Sequence, residues 1–196
     1  MRTRIAAAVV GVLLVGPLVR PAYAAPSEHQ FDGFFRKYSK RFFGIGFDWR
    51  LFKAQGFVES RLDRGARSRA GARGVMQLLP RTYGALQIKN PDFGDIGDPQ
   101  WNIAAGISYA RDLWKQWQGE VDAAHQREFM LASYNAGRGT VLRAQRMAEA
   151  FKLDRRQWPS IELIAPIVPG WQYQETIDYV LRVFRSLGSM DARGRL

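Results

Sequence analysis

Glu59-Ser60 closes an apolar run, and nine residues after the glutamate comes Ser68-Arg69-Ala70-Gly71-Ala72-Arg73-Gly74-Val75-Met76-Gln77. The pair sets one carboxylate beside a glycine-punctuated polar turn. Leu51, Phe52, Ala54, Phe57 and Val58 recur at helical spacing ahead of Glu59, and Asp48 is a good N-cap, so a helix is predicted over Trp49–Ser60. Gly56 inside it costs about 1 kcal/mol of propensity relative to Ala, and close approach of another backbone is one reason to tolerate it. Residues 64–74 read as a loop, and Val75–Leu79 as a short apolar segment ahead of Pro80.

Working outward, Phe31, Phe34, Phe35, Tyr38 and Phe42 fall at helical spacing, with Arg36, Lys37, Lys40 and Arg41 between them. This amphipathic helix is expected to pack on the folded domain rather than lie on a membrane surface, and Gly44-Ile45-Gly46 breaks it. Further helices are predicted over 82–87, 101–118, 126–134, 139–151 and 175–187. The polar, Pro-containing stretch 154–170 carries apolar Ile161, Leu163, Ile164, Ile167 and Val168 but is assigned no helix, and residues 188–196 are expected as a loose tail. There is no internal repeat. The expectation is a single, mostly helical domain.

Composition removes whole classes of chemistry. The chain has no Cys, so thiol nucleophiles, thiolate metal sites and disulfides are absent. Its two His, His29 and His125, stand far apart, and neither has a partner at metal-ligand spacing. No glycine loop of the nucleotide-binding kind occurs. No metal and no cofactor are therefore expected, and acid–base work falls to the 18 carboxylates.

The first residues read as an export signal. Met1-Arg2-Thr3-Arg4 is a basic start, Ile5 to Leu18 is apolar and uncharged, and Ala22-Tyr23-Ala24 is a small-x-small cleavage pattern. The run is shorter than the ~20 residues of a spanning helix. The expectation is an exported protein, periplasmic or secreted, with no stable membrane insertion after cleavage. The net charge is +11; removing residues 1–24 takes away three Arg and no acid, leaving +8. Such a balance implies a polyanionic environment. Lys and Arg are scattered rather than striped with aromatics, which speaks against nucleic acid and, for an exported chain, for cell-wall glycan or lipid headgroups.

A carboxyl group at the C-terminal end of a helix feels the negative end of the dipole, and apolar surroundings desolvate it; both favour the protonated form. Held protonated near neutral pH, it can donate to a glycosidic oxygen. A surface helix-end carboxylate is the plain alternative for Glu59.

Glu59-Ser60, Ser68 with Gly71-Ala72, and Gly74-Val75-Met76-Gln77 resemble successive motifs of the lytic transglycosylase catalytic domain of the soluble type, in the goose-lysozyme-like superfamily. Pro80 and Thr82 continue the likeness. Asn102-Ile103, Ala105-Gly106 and Tyr109 resemble the next motif, Ala132-Ser133-Tyr134-Asn135-Ala136-Gly137 a later one, and Glu175-Thr176 with Tyr179-Val180 the closing helix. The likeness spans roughly residues 47–183. Each motif alone is weak, but five in order are specific. One departure stands out: Arg138 occupies the place where the family usually has Pro, adding charge near the cleft entrance.

The resemblance implies a mostly α, α+β lysozyme-like fold: a helical bundle with a small β-hairpin region beside the active-site cleft, around Gly74–Gln77. The division expected is a signal peptide (1–24), an N-terminal amphipathic helix (25–46), the transglycosylase domain (47–187) and a flexible tail (188–196). It implies cleavage of peptidoglycan between N-acetylmuramic acid and N-acetylglucosamine, with Glu59 as sole catalytic acid/base and a 1,6-anhydro product. One carboxylate then suffices where ordinary glycosidases need two. Ser68, Met76, Gln77, Tyr134, Asn135 and Glu175 match the family's substrate-binding positions. Met76 as core filling, Tyr134 and Asn135 as parts of a packed helix end, and Glu175 as a structural partner are the alternatives. A lysozyme-type hydrolase would need a second acid from Asp63, Asp92 or Asp95, and a non-catalytic wall-binding module would have no use for Glu59. Glycan strands are the expected partner, with secretion or conjugation machinery as a further one.

Overall fold

The structure is a computed structural model describing residues 29–193. The export signal expected over 1–24 lies outside the described residues. In chain order the helices are α1 (Asp32–Phe43), α2 (Arg50–Ser60), α3 (Pro80–Lys89), α4 (Pro99–Trp117), α5 (Gln126–Ala136), α6 (Arg138–Ala150), α7 (Trp158–Ile164) and α8 (Tyr173–Arg193), with 3-10 turns at Ala123–His125 and Ala165–Ile167. The molecule is mostly helical, as its apolar periodicity dictates.

Helix α2 is the axis of the packing. Its Leu51, Phe52, Ala54, Gln55 and Gly56 are buried, and its longest contact is with α8. Helix α1 lies on α4, and α5 packs against α4, α6 and α8. Helix α1 is pinned to α2 by Lys53 Nζ, which meets Asp32 Oδ1 at 2.7 Å although Lys53 is almost wholly buried. Phe43, Phe47, Phe52 and Trp114 form an aromatic cluster at the other, C-terminal end of α1. Removing Asp32 would strand the buried Lys53 ammonium, which is the costly way to break the pair, whereas Asp32 also meets His29 at 3.0 Å.

Helix ends follow simple chemistry. Asp48 Oδ1 accepts the Arg50 N–H at 3.0 Å and Asp98 Oδ1 accepts that of Gln100 at 2.8 Å, so two aspartates cap α2 and α4. Pro80 and Pro99 occupy first positions, where a missing N–H costs nothing. The same logic adds helical turns inside the stretch 154–170, where none is predicted. Pro159 sits in the first turn of α7 and Pro166 in the following 3-10 turn, so the prolines start helical turns instead of breaking them. Trp158, Ile161, Ile164 and Ala165 bury the inner side. Helix α8 likewise runs through Gly188 to Arg193, where a loose tail is predicted.

The hairpin region differs from expectation as well. Among the described residues there is no strand; residues 66–78 make two isolated antiparallel bridges, Arg67 to Arg73 and Arg73 to Leu78. The segment is too short and too punctuated for a ladder, with Gly71, Gly74 and Gln77 all at positive φ.

Candidate active site

Helix α2 ends in a left-handed turn directly after Glu59-Ser60. Arg61 and Leu62 both adopt positive φ, and their N–H groups bond back to Phe57 O at 2.8 Å and Gly56 O at 3.4 Å. Leu62 is buried, which fixes the turn. Glu59 therefore projects from a rigid last turn. Gly56 permits this packing: a Cβ there would lie 3.1–3.2 Å from the Phe35 ring, Met76 Sδ and Val75 Cγ1. The close neighbours are side chains rather than a second backbone.

The Glu59 carboxyl is half-buried, open to solvent on one side. Burial pushes its pKa up to about 7, against the smaller opposing effects of a hydrogen bond from Tyr179 and the charge of Arg182. Tyr179, on α8, donates its hydroxyl to Glu59 Oε1 at 2.7 Å. Gln55, one turn before Glu59 and fully buried, donates its amide to the same phenol oxygen at 3.0 Å. The relay has one direction. Because Gln55 supplies a donor to the phenol, the Tyr179 proton points at Glu59, and the other carboxyl oxygen is left for the transferable proton.

Tyr134, on α5, donates its hydroxyl to the Met76 carbonyl at 2.9 Å. Burial raises its pKa well above the usual range, and the Glu59 charge adds to the effect, which places the phenol beside the acid. The Tyr109 ring lies 5.1 Å from that of Tyr134. The segment 74–77 is held from three directions. Ser60 Oγ donates to Val75 O at 2.8 Å; Asn102 Oδ1 accepts the Met76 N–H at 2.8 Å; Asn102 Nδ2 donates to Arg73 O and Ile96 O at 3.0 Å each. Gly74 has no alternative, since a Cβ would sit 2.6 Å from Asn102 Nδ2.

The other expected site residues separate. The Met76 side chain is fully buried, with a Gly106 Cβ position only 2.7 Å from its Cβ and Cγ, so the side chain is core and only the carbonyl serves the site. Gln77 turns its amide onto Gly74 O at 2.9 Å and Ala66 O at 3.3 Å, closing its own turn. Ser68 is exposed and its Oγ accepts the Ala72 N–H at 3.0 Å, which shapes the loop. Asn135 and Glu175 are exposed. Glu175 stands one turn before Tyr179 on α8, and the tyrosine is the residue that reaches Glu59. Gln55, and a site role for Tyr179 of the closing motif, are what sequence reasoning missed. Their signal was there: Gln55 is i−4 from Glu59, and a buried polar residue at that spacing shares its face.

Second acids are engaged elsewhere. Asp63 Oδ1 accepts the Gly65 N–H at 2.8 Å and Asp95 Oδ1 that of Gly97 at 2.7 Å, both turn closures, while Asp92 pairs with Arg41 at 2.8 Å. Arg138, the departure near the cleft entrance, stacks over Trp117 at 4.7 Å, and the Gly137 turn before it is intact. Among the described residues no helix is long and apolar enough to cross a membrane.

The Transglycosylase SLT domain family model matches residues 40–156. A "Membrane-bound lytic murein transglycosylase F" of Maricaulis maris is 32% identical over 135 residues, covering 69% of this chain and 28% of that protein. Its namesake from Desulfosudis oleivorans is 32% identical over 134 residues, covering 68% and 28%. The chain thus spans little more than a quarter of the length of these curated relatives. Among solved structures, the 70 kDa soluble lytic transglycosylase of Escherichia coli superposes with a TM-score of 0.61 at 24% identity, over 81% of this chain and 24% of that one. An inactive mutant of the lytic transglycosylase Slt of Pseudomonas aeruginosa gives 0.64 at 23%, over 81% and 23%. At those identities the likeness speaks for the fold. The family match stops at residue 156, short of α8 and Tyr179.

Proposed function

This chain belongs to the Transglycosylase SLT domain family, and we propose that it cleaves the bond between N-acetylmuramic acid and N-acetylglucosamine in peptidoglycan, without water, using Glu59 as the single acid and base. The observation that carries this reading is the Glu59 carboxyl, pushed up to about 7 and aimed by Tyr179. Protonated, Glu59 gives its proton to the leaving glycosidic oxygen as the C1–O bond breaks, and the sugar's own N-acetyl group stabilises the cationic centre. The Glu59 carboxylate then takes the proton of the C6 hydroxyl, whose oxygen bonds to C1. The carboxyl is restored, and no water has entered. Intramolecular attack is favoured because the nucleophile is already attached. Tyr134 and the Met76 carbonyl lie beside the acid, and Ser68, Gln77, Asn135 and Glu175 are the proposed sugar contacts. Because the substrate lies outside the cytoplasm, the reading goes with export by residues 1–24.

The products test it. Muropeptides released from purified peptidoglycan should end in 1,6-anhydro-N-acetylmuramic acid, each lighter by one water than a hydrolytic product, with no uptake of labelled oxygen from water. Reducing ends carrying that label would show a hydrolase instead.

The pH dependence is a second check. The free enzyme must hold Glu59 protonated, so kcat/KM should be high below about 7 and fall as pH rises through that value. The hydrogen bond from Tyr179 favours the carboxylate. Tyr179→Phe should therefore move the break to higher pH while lowering the maximal rate, because the carboxyl is no longer oriented. An unmoved break with a merely lowered rate would show that Tyr179 only supports packing.

A further inference from the structure

Arg67 and Arg73 face each other directly across the antiparallel bridge in the loop after α2. The bracketing bonds, Ser68 N–H to Ala72 O at 3.0 Å and Gly74 N–H to Ala66 O at 2.9 Å, make theirs the non-hydrogen-bonded pair, in which side chains share a face about 5 Å apart. Like charges so placed are destabilising. No compensating carboxylate comes within ion-pairing distance of either guanidinium among the described residues. Both arginines, with Arg64, line a cavity of about 280 Å³ whose other walls include Gly74, Asp95 and Ile96. Asp95 is the one acid in that lining, and its Oδ1 is already held by the Gly97 N–H at 2.7 Å. Three arginines against one aspartate leave the lining with a net positive charge, which favours an anion. The planar fork of Arg fits a carboxylate bidentately.

The pocket is tied to the reactive centre. Gly74, in its wall, is followed by Val75 and Met76, whose carbonyls accept from Ser60, the residue after Glu59, and from Tyr134, whose phenol feels the Glu59 charge. Its volume suits a side group rather than a run of sugar rings. We propose that this pocket is a subsite for a free carboxylate of the peptide stem that hangs from the glycan strand. The subsite rests on the glycan-cleaving reading. It would make stem-bearing strands preferred over stripped ones, and bound carboxylate would relieve the repulsion between Arg67 and Arg73.

Binding to the Glu59→Gln protein tests this without turnover. Three soluble glycan fragments are compared by calorimetry: one with its peptide stems, one with stem carboxylates amidated, and one stripped of peptide. The stem-bearing fragment should bind about tenfold more tightly than the other two, the size expected for one charge-assisted contact of ~1.4 kcal/mol. Adding Arg67→Gln and Arg73→Gln should erase that preference, leave affinity for the stripped fragment unchanged and raise the thermal midpoint. Equal binding of all three fragments, or a preference that survives the arginine substitutions, overturns the subsite while leaving the cleft reading in place. Binding of none of them overturns both. Displacement of the stem-bearing fragment by inorganic phosphate at equal concentration would assign the pocket to phosphate and overturn the carboxylate.

Discussion

Glu59→Gln should leave a folded protein whose release of muropeptides from peptidoglycan is reduced by at least 10² to 10⁴, the range for loss of a general acid, and by more because the same group also serves as base. The amide keeps the shape of the carboxyl and still accepts the Tyr179 hydroxyl, but it has no proton to transfer at these pH values. The substitution also has a stability signature. Burial raises the folded-state pKa of Glu59 from 4.5 to about 7. Below 4.5 the group is protonated in both states and native stability is fully retained. As pH rises toward 7 the unfolded chain ionises first, so the native state loses stability on the order of 2–3 kcal/mol, the sum being reduced by partial solvent access. Gln does not titrate. Glu59→Gln should therefore match the wild type in urea midpoint at pH 4 and exceed it at pH 8. Wild-type-like wall clearing by the folded variant would sink the catalytic assignment; equal midpoints at pH 8 would mean that the carboxyl is better hydrated than its surroundings indicate.

Asn102→Ala should be the most damaging substitution outside the acid. Asn102 is fully buried and holds the segment beside Glu59 through three bonds: one to the Met76 N–H, two to the Arg73 and Ile96 carbonyls. Arg73 O keeps a second partner in the Leu78 N–H, but the buried Met76 N–H and the part-buried Ile96 O lose theirs. Each orphaned buried group costs about 1–3 kcal/mol, and a small cavity adds to that, so a loss of roughly 3–5 kcal/mol is expected. For a domain of this size that lowers the melting temperature by about 10 °C. Activity should fall further than stability requires, because the Met76 carbonyl that fixes Tyr134 is no longer held. Asn102→Asp keeps the acceptor toward Met76 but supplies neither donor and sets a buried carboxylate against the Arg73 and Ile96 carbonyls, so it should cost at least as much. A loss under about 1 kcal/mol for Asn102→Ala would show that the turn is held by Ser60 and the bridges alone.

The amino-acid sequence by itself determined all the helices but α7, because each of these is encoded in residues three or four apart and ended by a nearby cap, proline or glycine. Helix α7 is two turns long with a proline in its first turn, too short for a periodicity to show. The sequence also pointed acid–base work to a carboxylate, since Cys is absent and the two His stand far apart, and determined that Glu59 ends a helix beside a glycine-rich turn. The order of motifs along the chain was enough to suggest the family. What the acid does depends on tertiary structure. Tyr179 meets Glu59 across 120 residues of chain, and Gln55 aims that phenol only because α2 and α8 pack together. Met76 matched a cleft position in sequence, yet the absent side chains of Gly56 and Gly106 open a socket that draws it into the core. The two arginines that face each other across the loop are six residues apart in a turn whose register no periodicity reveals. Local pattern specifies which residues can form an element; desolvation, hydrogen-bond direction and charge proximity arise between elements, and so they are settled only when the elements pack.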